Sequence, residues 1–202
     1  MTDPEGEARF ILQRAGFALD DKPGAAVIVR AILGARAVRK APPSAIHGAE
    51  GELAEVEGQT RIYLSNRLGP TRAAFVALHE LAHLHLGARE HGGPELEALC
   101  DAIAAALLCP RMAFRAAVCA RGLDWAQLAL DFGTSCSVVA LRYGEVTGEP
   151  MALVAPRRVR VRGAEWTWPT ERGIRRLARS GGPGLARTVL PDDERRVLLL
   201  AG

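Results

Sequence analysis

The sequence predicts an α+β fold in which a small antiparallel sheet packs on a helical core. Two mostly apolar runs, residues 72–86 and 95–108, have helical spacing and are separated by a break that contains glycine and proline. Two shorter segments, residues 53–57 and 61–65, flank Gly58-Gln59, which is the arrangement of a β-hairpin. With 202 residues, 49% of them hydrophobic, the chain can bury one such core and still form a small additional unit.

The segment before the hairpin is predicted to contain two helices and one strand. Residues 5–19 form the first helix. Its apolar residues are Phe10, Ile11, Leu12 and Phe17. Pro23 opens the second helix, which Gly34 ends. A strand near residues 35–40 then precedes a turn at Pro42-Pro43.

The helix over residues 72–86 carries two histidines, four residues apart, with a glutamate directly after the first. Four residues advance the side-chain direction by about 400°, so His79 and His83 lie about 40° apart on one face. Two imidazoles one turn apart can bind one Zn²⁺ ion. Glu80 lies about 100° round the helix, where it can reach a metal-bound water and act as a general base.

The surroundings of the two histidines favour a metal over ordinary packing. Most neighbouring positions on this helix are apolar, so the helix is predicted to be largely buried. Two unpaired buried histidines would cost free energy. A bound metal ion is the simplest group that satisfies both.

A third ligand is predicted on the helix over residues 95–108. Glu97 and Asp101 are four residues apart and share a face of a helix that otherwise consists mainly of alanine and leucine. We assign Glu97 as the third ligand and Asp101 as the acceptor of an imidazole N–H. Exposure of both carboxylates to solvent is the alternative. Glu95 is a competing ligand, although an acidic residue at a helix start is already favoured by the helix dipole.

These residues together resemble the ImmA/IrrE-type zinc metallopeptidases. The resemblance rests on the run from His79 to Gly87, on Glu97 and Asp101, and on the Ala- and Leu-rich run that ends at Cys109-Pro110. It implies a gluzincin-like α+β peptidase domain with zinc as its cofactor. Members of this family are often encoded beside a helix-turn-helix repressor that they cleave or control, which implies a protein substrate of that class.

The resemblance is specific over about residues 61–110 and weaker as far as about residue 148. Ile103 stands where an aromatic residue is common in the family, and Leu99 replaces a frequent second glutamate, but neither is a predicted ligand. We therefore predict a zinc metallopeptidase domain over residues 1–150 and a basic C-terminal extension of strands and a short helix over residues 151–202.

The segment from Trp125 to Arg142 has the pattern of two helices joined by a glycine turn, similar to a DNA-reading helix-turn-helix. Its second helix offers few side chains that could read bases, because Ser137 is followed by Val138-Val139-Ala140-Leu141. Packing within the fold is the preferred interpretation.

The chain beyond residue 154 is strongly basic, with eleven arginines and five acidic residues. Arg157–Arg162 alternates as an edge strand, and Trp166 and Trp168 indicate a second strand. A short basic helix over residues 173–180 and a strand over residues 196–200 complete the extension. Arginine with tryptophan could bind nucleic acid, but contact with a substrate or partner protein is the interpretation that we favour.

The four cysteines form no C-x-x-C pair and are predicted to be reduced core thiols, as in a cytoplasmic protein. Cys100 adjoins Asp101, but its helical direction excludes it from the predicted ligands. No apolar stretch approaches a membrane span, and residues 1–5 do not begin a signal peptide. We therefore expect a cytoplasmic protein with no membrane partner.

Two functional classes remain open at this point. The first is a zinc endopeptidase that acts on a regulatory protein, and the second is a non-catalytic regulator that binds a repressor or DNA. Glu80 favours the enzyme, because a binding module needs no base there. A group that stabilises the oxyanion is also expected, and His91, Tyr63 and Tyr143 are the candidates. His85 points about 160° away from the two ligands, toward packing or solvent.

One of the two hairpin strands is expected to pair with extended substrate. The alternative is that both strands serve only the packing of the sheet.

Overall fold

The chain folds into two compact units. The computed structural model describes residues 2–18, 21–87, 93–154, 159–162, 171–180, 185–190 and 193–201. One unit comprises Met1–Ala116 with Phe132–Thr134, and the other comprises Ala117–Asp131 with Ser135–Gly202. The domain boundary after residue 150 stays a prediction. The compact units divide the chain differently from it, because the helices between residues 125 and 147 cluster with the C-terminal strands.

The described residues up to residue 121 include five α-helices, a short 3-10 helix (Pro43–Ile46) and three strands. The helices are α1 (Pro4–Arg14), α2 (Ala25–Leu33), α3 (Pro70–His85), α4 (Pro94–Leu108) and α5 (Arg111–Arg121). The strands are β1 (Val38–Ala41), β2 (Gly51–Val56) and β3 (Gln59–Ser65). The α+β class is therefore confirmed, and α3 and α4 coincide closely with the two predicted core helices.

The first helix is shorter than its predicted span of residues 5–19. The side chain of Asp3 caps α1 by accepting hydrogen bonds from the backbone N–H groups of Glu5 and Gly6. The helix ends at Arg14 because Gly16 adopts a positive φ of 84°, which leaves Phe17 outside it. Of the apolar residues of this helix, Ile11 and Leu12 are buried, whereas Phe10 is 55% exposed.

The sheet of the first unit has the strand order β1-β3-β2. The β2–β3 pair is antiparallel, whereas β1 pairs with β3 in parallel. Glu57 and Gly58 both have positive φ values, 54° and 71°, which is the geometry of a two-residue type I′ hairpin turn. The turn is thus Glu57-Gly58, and Gln59, predicted to lie in it, is the first residue of β3.

The core of the first unit lies where α3 meets the sheet and α4. Leu78, Leu81 and Ala82 on α3 are at most 1% exposed. On α4, Ile103 and Ala104 are fully buried. The many alanines of α4 allow its backbone to approach α3 closely, so functional side chains on the two helices lie within hydrogen-bond distance of one another.

Beyond the end of α5, the described residues of the second unit include three helices and four strands. These elements are α6 (Trp125–Asp131), α7 (Cys136–Thr147), β4 (Met151–Val154), β5 (Val159–Arg162), α8 (Glu171–Ser180), β6 (Leu185–Leu190) and β7 (Asp193–Ala201). The strands form an antiparallel sheet in the order β5-β4-β7-β6. Helix α8 packs on this sheet through Ile174, Leu177 and Ala178.

The second unit contains the predicted edge strand and the segment with a helix-turn-helix pattern. β5 is an edge strand as predicted, over residues 159–162, whereas the expected strand at Trp166 and Trp168 lies outside the described residues. Most of α7 is buried, including Val139, Ala140 and Leu141. A buried helix cannot read bases, so the helix-turn-helix pattern is explained by packing.

Three of the four cysteines are buried free thiols, as predicted: Cys100, Cys109 and Cys136. Cys119 is exposed, so its assignment to the core was wrong. The buried side of α5 runs through Ala113, Phe114 and Ala117, and residue 119 does not share that side. No single helix within the described ranges has the length and apolar character of a membrane span. Only α4 and α5 taken together reach that length and apolar character, and they are bent by 61° relative to each other.

Replacing Ile103 with alanine should lower the free energy of unfolding by about 2–5 kcal/mol, since Ile103 is fully buried on α4 and the smaller side chain leaves a cavity. Urea denaturation of the metal-free protein measures this change. Met112→Ala is the matched control, because Met112 is 61% exposed and its loss should change the same quantity by less than about 0.5 kcal/mol. Equal effects of the two substitutions would contradict this description of the core.

Candidate metal centre

Helix α3 directs the two motif histidines toward one point. The Nε2 atoms of His79 and His83 are 3.1 Å apart, and the ring centroids are separated by 4.8 Å. His83 is 2% exposed, and the side chain of His79 is 13% exposed. The spacing of four residues therefore produces the convergence that it predicts, on a mostly buried side of the helix.

Glu97 on α4 supplies a carboxylate to the same point. Its Oε2 atom is 3.2 Å from His79 Nε2, and its Oε1 atom is 3.3 Å from His83 Nε2. Within the described ranges, His79, His83 and Glu97 are the group of potential ligands whose donor atoms converge closely enough to hold a metal ion. Two imidazole nitrogens and one carboxylate form a ligand set suited to a divalent transition metal.

Asp101 orients the first histidine. Its Oδ1 atom is 3.1 Å from His79 Nδ1, which donates its proton to the carboxylate. With the proton on Nδ1, the lone pair of Nε2 is directed at the convergence point, the tautomer that metal binding requires. Glu97 and Asp101, one turn apart on α4, thus contact opposite nitrogens of one imidazole.

The local charges also determine how His79 holds a proton. Burial lowers the pKa of His79, but the hydrogen bond that His79 donates to Asp101 and the negative charges of Asp101, Glu80 and Glu97 outweigh it and raise the pKa above its ordinary value of 6.5. Protons therefore compete with a metal ion for the Nε2 atom of His79, and metal binding weakens as the pH falls.

Glu80 lies on a different side of α3 from the two histidines. It is only 3% exposed, and its carboxylate lies beside Gly51 at the start of β2. Its charge acts on both His79 and Cys100. The carboxylate is therefore close enough to the convergence point to influence it, although it belongs to the side of the helix that meets the sheet.

Two other possible ligands do not join the group. Glu95 is exposed in the first turn of α4. Cys100 is fully buried, and burial, followed by the charges of Glu97, Asp101 and Glu80, raises the pKa of its thiol to about 12. Because the thiolate is the form that binds metals, Cys100 is unsuited to the site.

The candidates for oxyanion stabilisation lie in different places. Tyr63 alternates with Ile62 and Leu64 on β3, so it lies on the sheet face opposite to the one that packs on α3. Tyr143 belongs to the second unit, where its hydroxyl is hydrogen-bonded to Glu149 and burial raises its pKa to about 12. His91 lies outside the described residues.

His85, which the sequence predicts to point toward packing or solvent, contacts two residues of α1. Its Nε2 atom is 2.6 Å from Glu7 Oε2, and its ring stacks against Phe10 with centroids 5.4 Å apart. Both partners lie on α1, so this contact fastens the C-terminal end of α3. No local pattern could have found Glu7, because the two residues are separated by 78 positions in sequence.

Comparison with known proteins gives a match to a family model and matches to several solved structures. A family model described as the IrrE N-terminal-like domain, a peptidase family, matches residues 39–143. A solved structure described as a Mycobacterium tuberculosis transcriptional regulator aligns with a TM-score of 0.67 and 16% sequence identity, covering 100% of this chain and 88% of its own. At that identity the likeness concerns the fold. No protein of curated function matches the chain in sequence.

Replacing Asp101 with alanine should weaken binding of a divalent metal by about 10–100-fold, because His79 loses the acceptor that holds its tautomer and orientation. Competition with a chromogenic chelator measures the affinity. Glu95→Ala is the matched control on the same helix and should leave the affinity unchanged, while the double substitution His79→Ala, His83→Ala should abolish binding. Full metal retention in that double variant would overturn the site.

Proposed function

The chain belongs to the IrrE N-terminal-like peptidase family, and from that premise we propose that it is a zinc-dependent endopeptidase that cleaves a regulatory protein in the cytoplasm. The observation that carries the proposal is the convergence of His79, His83 and Glu97 at the junction of α3 and α4. Glu80, buried one residue along from a ligand, supplies the acid–base group that hydrolysis needs.

The distances within the group support zinc as the metal. Zinc binds histidine nitrogen and carboxylate oxygen at about 2.0–2.2 Å in tetrahedral geometry, so neighbouring donor atoms should lie about 3.3–3.6 Å apart. The observed separations between the donor atoms, 3.1, 3.2 and 3.3 Å, are at or slightly below this range. Three protein ligands leave a fourth position for water or substrate, as catalytic zinc sites do.

Each residue of the site has a defined part in the proposed hydrolysis. A bound zinc ion would lower the pKa of a water molecule and polarise the scissile carbonyl. Glu80 takes the proton from the attacking water and passes it to the leaving amine as the peptide bond breaks. Asp101 keeps the Nδ1 proton of His79 in place throughout, so that the imidazole stays oriented.

An extended polypeptide could align beside Glu80 through strand β2. In the order β1-β3-β2, β3 is central and has both edges paired, whereas one edge of β2 pairs with no strand in the described part of the chain. The first residue of β2, Gly51, lies against the Glu80 carboxylate. Of the two hairpin strands, we therefore propose β2 as the one that pairs with substrate.

Replacing Glu80 with glutamine should lower kcat by about 10²–10⁴-fold, because the amide is nearly isosteric with the carboxylate but cannot accept the proton. Cleavage of the substrate and metal content should be measured on the same preparation. Metal content and melting temperature should remain close to those of the unaltered protein. Undiminished turnover would remove Glu80 as the base.

The proposal of a regulatory protein as substrate is supported by the family and by the structural neighbour that is described as a transcriptional regulator. A helix-turn-helix repressor encoded beside this chain is the specific candidate. The alternative is a non-catalytic regulator that binds a repressor or DNA, and the description of that neighbour is the observation that favours it. Glu80→Gln separates the two, since a binding function does not need a base.

The exposed side of α8 is the proposed surface for an acidic partner protein. Arg172, Arg176 and Arg179 are exposed at positions i, i+4 and i+7, so they form one stripe. The opposite side of α8 is occupied by the sheet, and Arg187 Nε donates to the carbonyl of Ala178 at 2.6 Å near the helix end. The stripe is thus held outward on a fixed helix, where its charge can steer an acidic partner.

The zinc-loaded protein should cleave a co-encoded repressor and leave casein nearly intact, because a cytoplasmic peptidase must reject most proteins. Time courses on denaturing gels compare the two substrates at equal concentration. Rapid digestion of casein with the repressor untouched and unbound would contradict this specificity.

A charge-reversal variant provides the matched control for the surface. Replacing Arg172, Arg176 and Arg179 with glutamate should raise KM for the repressor and make it less sensitive to salt. Cleavage of a short peptide that spans the same scissile bond should be unchanged. An equal loss with both substrates would show that the stripe does not contact the partner.

A further inference from the structure

Gly51, the first residue of β2, lies against α3 with no space for a side chain. A Cβ atom at this position would lie 2.5 Å from Val76 Cγ1, 2.9 Å from Glu80 Oε1 and 3.1 Å from Glu80 Cγ. Non-bonded carbon atoms pack at about 3.5–4.0 Å. The strand and the helix therefore approach as closely as they do because residue 51 is glycine.

The geometry indicates a requirement for space and not for an unusual backbone conformation. The φ of Gly51 is not positive, and the residue lies in regular antiparallel register opposite Leu64. A glycine within a strand loses conformational entropy and packing, and it often marks a place where another group must come close. Here the approaching groups are Val76 and Glu80, one helical turn apart on α3.

The two neighbours would respond differently to an added methyl group. Val76 is 4% exposed and β-branched, so its rotamer is nearly fixed within the helix. The Glu80 carboxylate is the end of a flexible side chain and can rotate away. A side chain at residue 51 would therefore displace the Glu80 carboxylate, while the two imidazoles on the α4 side of the helix would keep their places.

We propose that Gly51 is a positioning residue, whose missing side chain sets the location of the Glu80 carboxylate. This inference rests on the proposed function, in which Glu80 transfers the proton during hydrolysis. It assigns to the edge strand a second task, which is to form the wall against which the base is held. The atoms nearest to a Cβ at residue 51 belong to Val76 and Glu80, neither of which is a proposed metal ligand.

Gly51→Ala should lower kcat by about 10²-fold, since a displacement of about 1 Å at the reacting group costs that much. Metal content should change little, because the ligands His79, His83 and Glu97 are unaltered. A fall in metal content equal to the fall in activity would overturn the proposal, because it would place the effect on the metal site.

Val76→Ala separates positioning from packing. It removes the closest clashing atom, so the added methyl in the double variant Gly51→Ala, Val76→Ala occupies the space that valine leaves. We expect its melting temperature to recover toward that of Val76→Ala alone, while kcat stays low because the contacts with Glu80 remain. Recovery of kcat together with stability would show that Gly51 serves packing only.

A second measurement decides the contact without reference to activity. Full-length metal-loaded protein carrying Gly51→Ala, Glu80→Ala or both is compared by melting temperature. The loss caused by Gly51→Ala should be smaller when Glu80 is alanine, since Oε1 and Cγ are then absent. Additive losses would overturn the positioning role. If the variants show this coupling but the unaltered protein cleaves no substrate, only the proposed hydrolysis is refuted.

Discussion

The packing of α3 on α4 is the constraint on which the rest of the structure depends. It places two imidazoles and two carboxylates in a largely buried volume, where each alone would be costly to desolvate. Together they satisfy one another, because Asp101 accepts from one nitrogen of His79 while Glu97 meets the other. The alanines of α4 make the approach possible, so composition that looks featureless in the sequence determines the spacing of the centre.

Helix α3 also organises the chain through its remaining sides. Its sheet-facing side carries Val76 and Glu80, and the other side carries His79 and His83. A helix with 3.6 residues per turn can present a ligand to one neighbour and a base to another only if both neighbours are close. The short sheet and α4 therefore flank α3 on two sides, and a shift of either would alter the distance between the Glu80 carboxylate and the two imidazoles.

The sequence predicts the parts of this arrangement that depend on local periodicity. Residues four apart on an apolar helix must share a side, so the convergence of His79 with His83, and of Glu97 with Asp101, follows from spacing alone. Contacts between distant segments carry no such signal. The parallel pairing of β1 with β3, the contact of Glu7 with His85, and most of the C-terminal sheet depend on the tertiary fold. Hydrophobicity alone also does not reveal which side of a helix is covered, since Phe10 is apolar and yet exposed.

The contact between Glu7 and His85 has a consequence for how the molecule acquires its centre. It joins residues 78 positions apart, whereas the contact between His79 and Asp101 spans 22. Closing a long loop is entropically costly and makes folding slower as the mean sequence separation of contacts grows. During synthesis α1 emerges first and has to wait for α3, so the end of the histidine helix is fastened only after most of the first unit has been made. A growing chain that holds the motif therefore already contains α1, and the end of the histidine helix can be held in place before α4 supplies Glu97 and Asp101.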